Sequence, residues 1–171
     1  MIRRSSHVAV FLAALVAATG CITGGGMQTT ITLKEANRKV DRYIEQAQAQ
    51  LPPRSRLEER LRFEDSPCTD PDDHGPQGRK IAERSYEVTG IESSKIRDYF
   101  DTLKRWWTDN DFSVLDDDPP YKYLTVENNI DGVRLALQAN DQGHLYLMAS
   151  SPCVWPNGTP DPDAAAAEDV D

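Results

Sequence analysis

The chain has 171 residues, of which 39% are hydrophobic and 27% are charged, and its formal net charge is −9 at pH 7. Nucleic acids are bound mainly through clustered Lys and Arg that replace counterions, so this acidic balance argues against a nucleic-acid partner. The length suffices for one hydrophobic core, and no shift in composition indicates a second domain.

The first 20 residues have the pattern of an export signal. Arg3 and Arg4 precede an apolar run at residues 8–18, and the small residues Thr19 and Gly20 follow that run. A helix that spans a bilayer needs about 20 apolar residues, so this run is too short for a permanent transmembrane helix.

The sequence Thr19-Gly20-Cys21 resembles the lipobox of bacterial lipoproteins, in which small residues precede a cysteine. Ala18 departs from that pattern, because the family usually carries leucine at this position. The resemblance implies that residues 1–20 are removed as a lipoprotein signal peptide. It also implies that Cys21 carries palmitate and anchors the chain to the outer, extracytoplasmic face of the cell membrane. The alternatives are an ordinary secretory peptide with a coincidental cysteine and an uncleaved anchor.

The residues behind the signal indicate a tether and a disulfide. Residues 21–31 contain a Gly-rich stretch typical of flexible tethers, and removing residues 1–20, with their two arginines and no acids, takes the net charge from −9 to −11. An oxidising compartment favours disulfides, so we predict one between Cys68 and Cys153, which are 85 residues apart. A zinc site is disfavoured because the chain has no Cys-x-x-Cys spacing.

The first half of the mature chain contains one well-marked helix and two strands. Apolar residues recur at three- and four-residue spacing over 33–51, and Thr32 with Glu35 has the form of a capping box. Residues 57–65 fit either a short helix or a strand, and the alternation of Leu61 and Phe63 with charged neighbours favours a strand. A loop over 67–78 and a second strand over 81–90 follow.

A second amphipathic helix is predicted from Ser93 or Ser94 to about Asn110. Four strands and two hairpin turns complete the chain, with the strands at 112–115, 121–127, 133–139 and 145–150. One face of these strands is apolar and the other is wetter.

This order of elements predicts an α+β domain over residues 32–156. We expect an antiparallel sheet of about five or six strands with two amphipathic helices packed on one face. The disulfide would join the end of the first strand to the end of the last. Residues 157–171 are rich in Pro, Asp and Ala and are predicted to be a disordered acidic tail.

Two groups of acidic residues could hold a cation. Asp70, Asp72, Asp73 and His74 lie together in the long loop, and residues 116–118 are three consecutive aspartates. Neither group has the ligand register of an EF-hand loop, so solvated loop acids are the favoured interpretation of both.

Trp106 and Trp107 form a candidate binding surface, because two consecutive helical residues cannot both face the core. The favoured alternative is that one fills the core and the other packs against a flanking segment. No nucleophile-elbow, zinc-protease or phosphate-loop motif occurs, so we predict no catalytic residue, no metal site and no cofactor.

The sequence therefore predicts a lipid-anchored extracytoplasmic envelope lipoprotein whose body is a non-enzymatic binding or scaffolding module. Its expected partners are the membrane, through the lipid on Cys21, and an envelope protein or cell-wall component of unknown identity. One alternative is a small-ligand carrier with a groove between helices and sheet. The other is a carboxylate-based cell-wall hydrolase, which needs two acids about 5–10 Å apart.

Overall fold

The computed structural model describes residues 30–68 and 76–160 of the chain. The predicted signal peptide, Cys21 and most of the tether lie outside the described residues. Residues 69–75 of the long loop, including the acids and His74 proposed above, and residues 161–171 of the predicted tail also lie outside them.

Two helices and six strands form the described part of the chain. In chain order they are α1 (Leu33–Gln48), β1 (Arg56–Pro67), β2 (Lys80–Thr89), α2 (Ile96–Thr108), β3 (Phe112–Asp116), β4 (Tyr123–Asn128), β5 (Arg134–Ala139) and β6 (Leu145–Ser150). The strands form one sheet in the order β1-β2-β6-β5-β4-β3, and every neighbouring pair is antiparallel. The predicted α+β fold is confirmed.

Local chemistry fixes both ends of α1. The Thr32 hydroxyl accepts a hydrogen bond from the Glu35 amide, and the Glu35 carboxylate accepts one from the Thr32 amide, which confirms the capping box. The helix ends at Gln48 rather than at the predicted Leu51. Residue Leu51 immediately precedes a proline, whose ring disfavours helical backbone at that position, and the Leu51 amide bonds instead to the carbonyl of Gln48 in a tighter turn.

The region between α1 and α2 contains the two predicted strands. β1 is longer than the predicted 57–65, and β2 is shifted by one residue from the predicted 81–90. Gly90 lies outside β2 because it adopts a φ of +71°, and a Cβ there would lie 2.4 Å from the carbonyl oxygen of Arg54. This close approach requires glycine.

α2 begins later than predicted. Residues Ser93–Lys95 form a single 3₁₀ turn, and no side-chain cap precedes the α-helix at Ile96. The serine caps expected from the sequence are therefore absent from this described segment. Downstream, β4 begins at Tyr123 rather than at Tyr121, because Tyr121 has a φ of +63° that extended backbone does not allow.

The core lies between the two helices and one face of the sheet. The sheet contributes alternate residues, which are fully or nearly fully buried: Ala82, Val88, Leu124, Val126, Leu135, Leu137, Ala139, Leu145, Leu147 and Ala149. α1 packs against β1, β2 and β6, and α2 packs against β3 and β4. Both helices therefore pack on the same face of the sheet, which confirms the prediction, and they cover different strands of it.

The disulfide joins Cys68, directly after β1, to Cys153, three residues after β6, with the two Cα atoms 5.6 Å apart. This confirms the predicted pairing and its position at the ends of the first and last strands. Residues 157–160, the described part of the predicted tail, lie beside the start of the folded body. The Thr159 hydroxyl accepts a hydrogen bond from the Thr30 amide at 2.7 Å.

Candidate functional site

The face of the sheet opposite the helices carries a groove, which we call the open-face groove. Its volume is about 700 Å³. The strand register places five of its residues in one row across the sheet, and that row runs Leu61, Ser85, Met148, Ala136 and Thr125. Three apolar side chains and two hydroxyl-bearing ones therefore form the floor.

Irregularities in the two edge strands supply the walls of the groove. β1 has a register shift between Glu59 and Leu61, and β3 has one between Val114 and Asp116. Such bulges bend the strand locally and redirect its side chains. Leu61 and Leu115 are 37% and 51% exposed and line the groove from opposite edges of the sheet. Leu61, at the β1 end of the row, and Leu115, on β3, therefore flank the rest of the floor.

A charge cluster lies on the β1 side of the open face. Arg60 lines the groove and donates to Glu87 at 2.5 Å, while His144 Nδ1 lies 2.5 Å from the other oxygen of the same carboxylate. Hydrogen bonds from His144 and from Arg60 hold the pKa of Glu87 below its usual range, and the bond to Glu87 raises the pKa of Arg60. The guanidinium of Arg60 therefore has a carboxylate partner.

Arg134 and Glu83 are two further charged residues on the open face that line the groove. Arg134 donates to Glu127 at 2.7 Å. Glu83 also lines the groove, and no ion pair or side-chain hydrogen bond engages its carboxylate within residues 30–68 and 76–160. In the β1–β2 register Glu83 lies directly opposite Phe63, which is 49% exposed. Opposite residues share a face, so an exposed aromatic ring adjoins this carboxylate.

A second groove, of about 600 Å³, lies between α1 and β1 and has a more polar lining. Its charged residues are Lys34, Arg38, Asp41, Glu64, Asp65 and Arg84. Asp41 and Arg84 are bonded to each other at 2.8 Å. This is the helix–sheet position that the carrier alternative requires, but its lining lacks the apolar walls of the open-face groove.

The residues singled out in the sequence occupy different surroundings. Trp107 is fully buried in the core, and Trp106 is partly buried and packs against it. Asp117 pairs with Lys104 at 2.7 Å, and this contact raises the pKa of Lys104. The structure does not bring these residues to the open-face groove.

None of the residues that line the open-face groove was predicted from the sequence as a site residue. Ser85, Ala136 and Met148 are ordinary strand residues in the sequence, and only the alternation within β2, β5 and β6 indicated that their face is not core. Within the described ranges, no group of three or more His, Cys, Asp or Glu side chains could hold a metal ion. No helix there has the length and apolarity needed to cross a membrane.

Comparisons with known proteins found no matching family model, no matching curated protein and no matching solved structure.

Proposed function

We propose that this protein is a lipid-anchored extracytoplasmic envelope lipoprotein whose folded body is a non-enzymatic binding module. The apolar run followed by Thr19-Gly20-Cys21 supports the anchor. The pairing of Cys68 with Cys153 supports an oxidising compartment, since cytosolic proteins seldom form such bonds.

The open-face groove is the observation that carries the binding role. Small-molecule sites are concave, mostly apolar and about 300–1,000 Å³ in volume, with a few polar groups that orient the ligand. The groove has this size and composition, with leucine walls and a small number of charged residues at its margin. Among residues 30–68 and 76–160, one carboxylate lines it, that of Glu83, whereas a two-carboxylate hydrolase places a pair of acids about 5–10 Å apart. Binding therefore accounts for the groove better than hydrolysis does.

Nile red, an uncharged dye that fluoresces in apolar surroundings, tests the site. We expect saturable binding to the full chain with one site per molecule. Ala136→Phe should abolish it by filling the floor, and Leu115→Ser should weaken it by removing one wall. Ile130→Ser is the matched control, because Ile130 is 78% exposed and does not line the groove. Equal binding by Ile130→Ser, Ala136→Phe and the native chain would refute the site.

The anchor is tested separately. We expect the native protein, extracted from its host membrane, to have a mass that lacks residues 1–20 and includes acyl chains. In Cys21→Ser the mass of the acyl chains should be absent, and the form that lacks residues 1–20 should be absent as well. An unmodified secreted mass for the native protein would refute lipid anchoring and leave the groove experiment unaffected.

A further inference from the structure

We propose that the open-face groove binds a small amphiphile with an alkyl body and a quaternary ammonium head, the head lying between Glu83 and Phe63. This inference rests on the proposed binding function and names the class of ligand.

The lining of the groove favours an alkyl body over an extended peptide. The floor strands β5 and β6 each have a paired strand on both sides, so their backbone groups are engaged within the sheet. The neutral polar side-chain groups of the lining are four hydroxyls, those of Ser85, Tyr123, Thr125 and Ser150. A peptide would bring one backbone donor and one acceptor per residue into this site, and burying them without partners is costly. An alkyl chain carries no such groups.

The charges favour a cationic head. Arg60 has Glu87 as its partner at 2.5 Å, Arg134 has Glu127 at 2.7 Å and Arg84 has Asp41 at 2.8 Å, so all three positive charges of the lining are already compensated. Glu83 is the lining charge for which the described residues provide no counter-ion. A cationic head beside Glu83 would neutralise its carboxylate, whereas the same carboxylate would repel an anionic head. The net charge of −9 also attracts cations to the surface.

Phe63 favours a quaternary ammonium over other cationic head groups of the ligand. Its ring is 49% exposed and lies on the same face as Glu83, directly opposite it in the register. Quaternary ammonium groups are recognised where an aromatic face and a negative charge meet, because the ring quadrupole attracts a cation that cannot donate hydrogen bonds. A primary ammonium gains less from such a site, since it loses more hydration on binding.

Calorimetric titration of the full chain with monomeric decyltrimethylammonium, decylammonium and decyl sulfate tests the proposal. The three probes share one alkyl chain and are used below their micelle-forming concentrations. We expect decyltrimethylammonium to bind about threefold to fivefold more tightly than decyl sulfate, which is the upper part of the range for a partly exposed ion pair. It should also bind more tightly than decylammonium.

Two variants locate the head. Glu83→Gln should equalise the cationic and anionic probes, and Phe63→Leu should remove the preference for trimethylammonium over ammonium. Glu64→Gln is the matched control, because this neighbouring acid lies in the other groove. A charge preference that persists in Glu83→Gln would overturn the proposal.

The remaining outcomes separate the two claims. Equal binding of all three probes, displaced by Nile red, would refute the quaternary ammonium ligand and keep the binding groove. Binding of an acetylated Lys-Leu-Leu amide without binding of decyltrimethylammonium would assign the groove to a protein segment and also refute the ligand class. No binding of any probe, Nile red included, would refute the proposed function itself.

Discussion

The ion pair between the buried Arg84 and the partly exposed Asp41 gives the sharpest test of how α1 is held to the sheet. The side chain of Arg84 is 1% exposed, whereas that of Asp41 is 37% exposed. The guanidinium donates to Asp41 Oδ1 at 2.8 Å, to Asn37 Oδ1 at 2.7 Å and to the Phe63 carbonyl at 2.9 Å. One buried cation therefore joins α1, β1 and β2.

Replacing Asp41 and replacing Arg84 should lower the free energy of unfolding by different amounts. Asp41→Asn leaves the guanidinium buried without its counter-ion, so we expect a loss of about 3–4 kcal/mol in the free energy of unfolding. Arg84→Met leaves Asp41 partly hydrated and still 3.4 Å from Arg62, while the apolar side chain fills the vacated volume. We expect that variant to lose only about 1–2 kcal/mol in the free energy of unfolding, because the carbonyl groups that accept from Arg84 lose their donor.

Urea unfolding of the oxidised chain measures both variants. The double variant Asp41→Asn with Arg84→Met should be more stable than Asp41→Asn alone, because the second change removes the uncompensated charge. Glu45→Gln on the exposed side of α1 is the control and should change stability by less than about 0.5 kcal/mol. If Arg84→Met proves at least as destabilising as Asp41→Asn, burial of the cation does not dominate this contact and the reasoning is wrong.

Three further predictions concern other contacts. Cys68→Ser should lower the free energy of unfolding by up to about 4–5 kcal/mol, since the disulfide closes a loop of 85 residues. In this variant Cys153 should react with thiol reagents. Two free thiols in the native protein would contradict the prediction. Thr32→Ala removes the N-cap of α1 and should cost about 1 kcal/mol in thermal unfolding, whereas Thr32→Ser should restore most of it. Burial, reinforced by the 3.0 Å hydrogen bond to Asp131, raises the pKa of Tyr43 to about 12. The contribution of this phenol to the free energy of unfolding is therefore complete below the ordinary tyrosine pKa and is lost as pH rises through 12. An absorbance titration in which Tyr43→Phe removes no late-ionising phenol would refute this prediction.

Local signals made α1 and its cap predictable. The capping box at Thr32 and the apolar spacing that follows both act within a few residues, so the sequence contains the whole cause of the helix start. The start of α2 was less predictable. Ser93 was expected to cap it, but its hydroxyl donates instead to the carbonyl of Gly143 at 3.3 Å, a contact 50 residues away in the chain. A tertiary partner here overrides the local preference.

The open-face groove lies beyond local prediction for the same physical reason. Alternation within β5 and β6 separates a buried face from a wetter one, and this much was visible in the sequence. The groove, however, requires Leu61 and Leu115 to flank the same floor, and the order β1-β2-β6-β5-β4-β3 brings them there. The decisive pairing is that of β2 with β6, because it joins the β1–β2 pair to the four strands β3–β6. Through this pairing Met148 and Ala136 come to lie between the two edge strands that carry the leucines. A change that disturbs this pairing should therefore remove the groove together with the core, whereas a change to Leu115 or Glu83 should alter binding and leave the fold in place.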